Sequence, residues 1–184
     1  MNALPAFRLI LFLGVWLCMG PAVAQEFTDR WYLGARAGVV VTDQNFRRDG
    51  DSIIVSVGRT LGPTYAVELE GFRERLDFSI DYGLRNEGIA FNVLTINREP
   101  LWDPYFLVGI GAMRFDAPLG VAERSGTIAV AHAAIGGQWE LMLPERLLLR
   151  AEIRMRVSDD RTGQPGQEGY GDGTVSLGLT IPFQ

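Results

Sequence analysis

The chain has 184 residues, 47% of them hydrophobic, and a formal charge of −5 at neutral pH. That length suits one domain built around a single continuous sheet, and the mild acidity lacks the basic stripe that nucleic-acid binding needs. Every cation is arginine, and a lone cysteine, Cys18, excludes an intrachain disulfide.

Residues 1–24 carry the pattern of a secretory signal peptide. Arg8 supplies the positive start, Leu9 to Leu17 the short apolar run, and Ala22-Val23-Ala24 the small-x-small cleavage site. Gln25 is then the first mature residue, and residues 25–184 form the mature domain. Cys18 leaves with the leader, since Trp16 and Leu17 before it do not fit a lipid-modified cysteine. The mature chain keeps sixteen arginines against twenty-two carboxylates, a charge of −6. No mature apolar run approaches the ~20 residues of a membrane helix.

Strict alternation of apolar and polar residues predicts eight strands. They are Trp31–Val41, Ser52–Thr60, Thr64–Arg75, Glu87–Asn97, Pro104–Phe115, Thr127–Glu140, Arg146–Ser158 and Gly173–Phe183. Most are near the ~10 residues that a tilted strand needs to cross a bilayer. Tight turns at Gly62-Pro63, Glu99-Pro100 and Leu143-Pro144 join strands two to three, four to five and six to seven. Roughly ten to fourteen residues are expected in each of the other connections, as in barrels with short periplasmic turns and longer external loops. The expected fold is an all-β, eight-stranded antiparallel up-and-down transmembrane barrel.

Parity along each strand sorts the side chains into two sets. In the seventh strand Leu147, Leu149, Ala151, Ile153, Met155 and Val157 oppose Arg150, Glu152, Arg154 and Arg156. A soluble lipocalin-like barrel would put the apolar set inside. Small residues argue for the reverse arrangement. Gly34 and Gly38 share a face with Arg36; Ser56 shares one with Gly58, and Ser176 with Gly178 and Thr180. The interior of eight strands has room only for fitted side chains. The ionic set is therefore expected in the lumen, with Leu149, Ile153, Leu177, Leu179 and Phe183 toward lipid and Trp31 and Trp139 in an interfacial girdle. In the fifth strand both faces are apolar, and Gly109 and Gly111 are assigned inward.

Several segments resemble the OmpA-type eight-stranded outer-membrane barrels. Trp31 to Gly38 looks like the family's first strand, and Pro104-Tyr105 like the opening of its fifth. Gly136-Gly137-Gln138-Trp139-Glu140, the Leu-Pro-Glu turn and Arg150-Ala151-Glu152 resemble the sixth-to-seventh hairpin. Ser176 to Phe183 resembles the last strand, the segment that barrel assembly machinery engages, although Gln184 follows the terminal aromatic residue. Nothing here matches the family's peptidoglycan-binding domain, so cell-wall attachment does not carry over. The resemblance implies a lumenal ion-pair network in which Glu68, Glu140 and Arg150 match family positions, with Asn92 where such networks carry a lysine. Arg36, Glu70, Glu152 and Arg154 share the lumen parity and complete the expected set.

Two chemistries compete for that lumen. Interior charges can neutralise one another and fill space, or they can gate a narrow pore; filling is the preferred reading. His132, the single histidine, has lumen parity and no His-x-Ser partner, which argues against the lipid A-modifying barrel enzymes. No catalytic residue, cofactor or metal is assigned. Asn45–Asp51 and Asp159–Asp172 are acidic but lack the ordered spacing of a calcium loop. Leu76, Phe78, Ile80 and Tyr82 suggest a third strand rising above the membrane, with a bulge near Gly71 to bring these residues to the face opposite Glu68 and Glu70. The overall expectation is a monomeric, non-enzymatic envelope barrel, partnered by outer-membrane lipid and through its external loops by a surface ligand. A narrow pore, a lipid-modifying enzyme and a soluble ligand-binding barrel follow as alternatives.

Overall fold

The computed structural model describes residues 29–42, 49–78, 82–99, 101–116, 125–141, 147–158 and 170–183. The signal peptide and its cleavage site lie outside them. Eight strands run in chain order: β1 (Trp31–Thr42), β2 (Asp49–Leu61), β3 (Tyr65–Phe78), β4 (Tyr82–Ile96), β5 (Asp103–Asp116), β6 (Ser125–Leu141), β7 (Leu147–Ser158) and β8 (Tyr170–Phe183). Each pairs antiparallel with its chain neighbours, and β1 pairs with β8 to close the barrel. Closure gives every strand two hydrogen-bonding neighbours, so no edge is left for solvent or lipid to satisfy.

Trp31 stands opposite Phe183, so β1 begins and β8 ends at one rim. That rim also carries the turn 62–64 and the ends of β4 and β6, while β1, β3, β5 and β7 end at the other. At the tight β2–β3 turn, Gly62 takes the left-handed conformation (φ 77°) that a side chain would disfavour. Its N–H donates to Asp29 Oδ1 at 3.2 Å.

Side chains sort by parity along every strand. Outside stand Leu33, Ile53, Val55, Leu69, Ile89, Ile110, Ile153, Val175 and Leu177, each more than half exposed. Leu179 and Phe183 point the same way and are each 41% exposed, and Leu149 shares their parity on β7. An apolar surface that runs round the molecule is not tolerated in water and is stabilised by hydrocarbon. On the outer face near the chain ends, Trp102 stacks on Trp139 at 5.6 Å between ring centroids. Gly137 between them gives the Trp102 ring its seat, since a Cβ there would come within 2.5 Å of it.

The inner face holds both charge and hydrocarbon, in layers. Nearest the chain ends, Tyr32, Ala66, Leu94, Ile96, Tyr105, Leu107 and Ala134 pack together. Farther along, Ile54, Phe72, Ala90, Met113 and Val130 form a second apolar layer. On β5, Gly109 faces inward beside buried Leu107 and Met113, with Val108 and Ile110 outside.

Two expectations about β3 and β4 are corrected. Their ladder continues unbroken from Tyr65↔Thr95 to Phe78↔Tyr82, so most of the expected long connection is paired strand. No bulge interrupts β3 at Gly71, which stands opposite Val55 and Ile89 in continuous register. Leu76 therefore keeps the parity of Glu68 and Glu70 and is buried in the lumen. The lumen face of one strand mixes ionic and apolar residues along its length, from Glu68 and Glu70 through Phe72 and Glu74 to Leu76, so a change of chemistry did not require a change of face.

Candidate functional site: a closed ring of ion pairs

Three inward positions on β7, two on β3 and one on β1 meet in mid-barrel. β7 offers Arg150, Glu152 and Arg154 at a spacing of two, which sets all three on one face. β3 offers Glu68 and Glu70 by the same rule, and β1 offers Arg36. These six side chains, each no more than 4% exposed, form an alternating ring. Arg150 Nη1 binds Glu68 at 2.7 Å, Glu68 lies 3.5 Å from Arg36 Nη2, and Arg36 Nη2 binds Glu70 at 2.7 Å. Glu70 pairs with Arg154, Arg154 binds Glu152 at 2.7 Å, and Glu152 returns to Arg150 at 3.0 Å. A strut crosses the ring, from Arg36 Nη1 to Glu152 at 2.6 Å.

Three guanidinium groups face three carboxylates, so the ring is neutral. This balance makes burial tolerable. An unpaired charge here would carry a desolvation penalty of several kcal/mol, whereas each charge in the ring has at least two opposite neighbours. Neutral groups complete the set. Arg150 Nε donates to Tyr105 Oη, and Tyr105 Oη donates to Glu152, both at 2.7 Å. Asn92 Nδ2 lies 3.4 Å from Glu68 and 3.3 Å from Glu70, while its Oδ1 meets His132 Nε2 at 2.8 Å.

Glycines make the room. A Cβ on Gly109 would sit 2.1 Å from Asn92 Oδ1 and 2.4 Å from His132 Nε2. A Cβ on Gly178 would come within 2.7 Å of Arg36 Cγ, and one on Gly136 within 2.3 Å of the Tyr105 ring. Small lumenal residues and large ones are thus complementary parts of one packing arrangement.

A second ionic group lies farther from the chain ends. Arg156 Nη2 binds Glu74 at 2.5 Å and Asp172 at 3.0 Å, Asn86 Nδ2 lies 3.4 Å from Glu74, and the Arg156 guanidinium covers the Phe72 ring at 4.9 Å. Sequence reasoning placed Arg156 on the ionic face of β7 but left it, Glu74 and Asp172 out of the network. Glu74 was hidden by the supposed bulge, and Asp172 by ending the last loop three residues too late, since β8 begins at Tyr170. Tyr105 was noted only as a family motif, although its lumen parity could have been read from Leu107 and Gly109.

The structure gathers Arg36, Glu68, Glu70, Arg150, Glu152 and Arg154, and leaves Glu140 apart. Glu140 shares their parity but is exposed at the rim near the chain ends, beside a recess also lined by Arg30, Arg98 and Asp103. It is too far along β6 to reach the ring, because parity fixes a face and says nothing of depth. His132 lies inside the lumen and is 2% exposed. Among the described residues its hydrogen bond goes to Asn92, and its Nδ1 has no partner.

No family model matches this chain, and no curated protein resembles it closely enough in sequence to match. Solved structures do match in shape. A crystal structure of Neisserial surface protein A superposes with a TM-score of 0.68 at 16% identity, over 83% of this chain and 97% of that one. The N-terminal β-barrel domain of Pseudomonas aeruginosa OprF gives 0.54 at 13% identity, over 85% and 100%. The outer-membrane enzyme PagL gives 0.51 at 12%, over 83% and 99%. At such identities the likeness is one of fold, and the fold is that of the eight-stranded outer-membrane barrels.

Proposed function

We propose that this protein is a monomeric, non-enzymatic barrel of the bacterial outer membrane, exported by its signal peptide and serving envelope structure or surface interaction. One observation carries the reading: the lumen is packed through its section. The neutral ring lies between two layers of apolar side chains, and Arg150 within it is fully buried. A conducting lumen needs polar groups free to replace an ion's water shell. Here the charged groups are spent on one another. His132 is enclosed with Asn92 and does not face the lipid whose chemistry a lipid-modifying barrel would catalyse.

The surface role draws support from the rim away from the chain ends. There β3 and β4 stay paired to Phe78↔Tyr82, beyond the point where their outward residues become charged. A ladder of that kind carries its hairpin past the apolar band and toward an external partner. Recordings on planar bilayers test the filled lumen. The purified chain should give no steady unitary conductance; steady channels that disappear in Arg150→Ala would establish a gated pore instead.

A further inference from the structure

On β3, β4 and β5 the outer wall changes abruptly from hydrocarbon to arginine. Arg73, Arg75, Arg85 and Arg114 all point outward at the rim away from the chain ends, each exposed. Register sets Arg73 opposite Glu87, Glu87 opposite Arg114 and Arg85 opposite Asp116. Glu87 serves two arginines, Arg73 at 3.2 Å and Arg85 at 2.6 Å, while Arg114 lies 3.4 Å from Asp116. Arg75 forms no ion pair among the described residues; on β3 it stands opposite Asp51 of β2 on one side and opposite Arg85 of β4 on the other. Like charges facing each other on an antiparallel ladder destabilise it. An anion placed between them would reverse the sign of that interaction.

Beneath the arginines the wall is hollowed. A shallow, open depression of about 530 Å³ lies over Val55, Gly71 and Ala112, with Arg73, Glu87 and Arg114 at its edge. Ile89 and Ala112 are shared with a neighbouring groove of about 800 Å³ that continues past Ala129 and Ala131. Packing does not demand the glycine: a Cβ on Gly71 would meet only Val55 Cγ2, at 3.7 Å. The furrow is therefore a feature of the outer surface and is not imposed by the barrel interior.

We propose that this wall seats one phosphorylated, multiply acylated lipid of the surrounding leaflet. Its phosphate lies between Arg75 and Arg85, within reach of Arg73 and Arg114, and one acyl chain occupies the furrow over Gly71 and Ala112. Guanidinium forks match phosphate oxygens with strong, charge-assisted hydrogen bonds. Each methylene buried in the furrow adds to the hold. Small phosphate ions would use the arginines alone; the furrow below them selects a lipid. This inference rests on the outer-membrane placement proposed above.

The test uses the purified chain in phosphatidylcholine nanodiscs, with added bisphosphorylated lipid A as the probe and native mass spectrometry as the readout. Heat-modifiable gel mobility of the same sample reports separately whether a membrane barrel has formed. A folded barrel that retains no lipid A would refute this inference alone; absence of a folded barrel in the bilayer would instead refute the placement. Arg75→Gln with Arg85→Gln should weaken retention about tenfold. Gly71→Leu with Ala112→Leu, which fills the furrow and leaves the arginines in place, should weaken it roughly fivefold. Unchanged retention in either pair, or equal retention of dephosphorylated lipid A, would overturn the proposal. Full displacement by millimolar inorganic phosphate would also overturn it, by reducing the site to an anion patch.

Discussion

Arg150 shows how a fully buried cation is made tolerable. Each of its three guanidinium nitrogens has a partner: Nε has Tyr105, Nη1 has Glu68 and Nη2 has Glu152. Arg150→Ala would leave those carboxylates short of charge and buried from solvent, at a cost of roughly 3–5 kcal/mol. Urea unfolding from lipid vesicles would measure it, and Arg150→Lys should recover only part because an ammonium lacks the planar fork. A cost below about 1 kcal/mol, the range of an exposed pair, would mean that water reaches the ring. Gly109→Val should destabilise by roughly 1–3 kcal/mol by overpacking, because its first added carbon already displaces the Asn92–His132 hydrogen bond. Placed on the same measurement, Gly62→Ala should also cost stability, through the left-handed backbone at the turn.

At the scale of the strand, parity was the legible quantity. The alternation in Leu147 to Val157 set Arg150, Glu152 and Arg154 on one face, and the structure places them together. Depth was not legible, so Glu140 was grouped with residues it does not reach. Nor was the chemistry of the lumen uniform enough to mark a face by polarity. Leu76 is as much a lumen residue as Glu68, and treating its side chain as evidence of a bulge cost the reading Glu74. The ion pairs that join β3 to β7, Glu68 with Arg150 and Glu70 with Arg154, span more than eighty residues of sequence, and no local pattern encodes them. Face assignment itself makes a direct prediction. Leu177→Arg, on the outer wall, should destabilise the barrel in lipid by roughly 2–4 kcal/mol, while Ser176→Thr, one residue away on the inner wall, should be mild. Equal tolerance of the two would place the apolar face in some medium other than lipid.

For the molecule as a whole, two solvents act on one sheet. In the proposed membrane placement the outer wall presents Ile, Leu and Val to hydrocarbon, and the inner wall must then satisfy whatever the alternation leaves over. The residues left over are balanced charges, fitted glycines and two apolar layers, which together close the cylinder. Site-directed spin labels test this arrangement most directly, one label at a time at Leu149, Ile153 and Leu177 on the outer wall and Ser176 on the inner, with the protein folded in bilayers. The outer three should collide freely with dissolved oxygen and be shielded from a water-soluble nickel complex, while the label at 176 should be shielded from both. Labels at 149, 153 and 177 that meet the nickel complex instead would show the oily wall facing water, and the transmembrane barrel would give way to a soluble one.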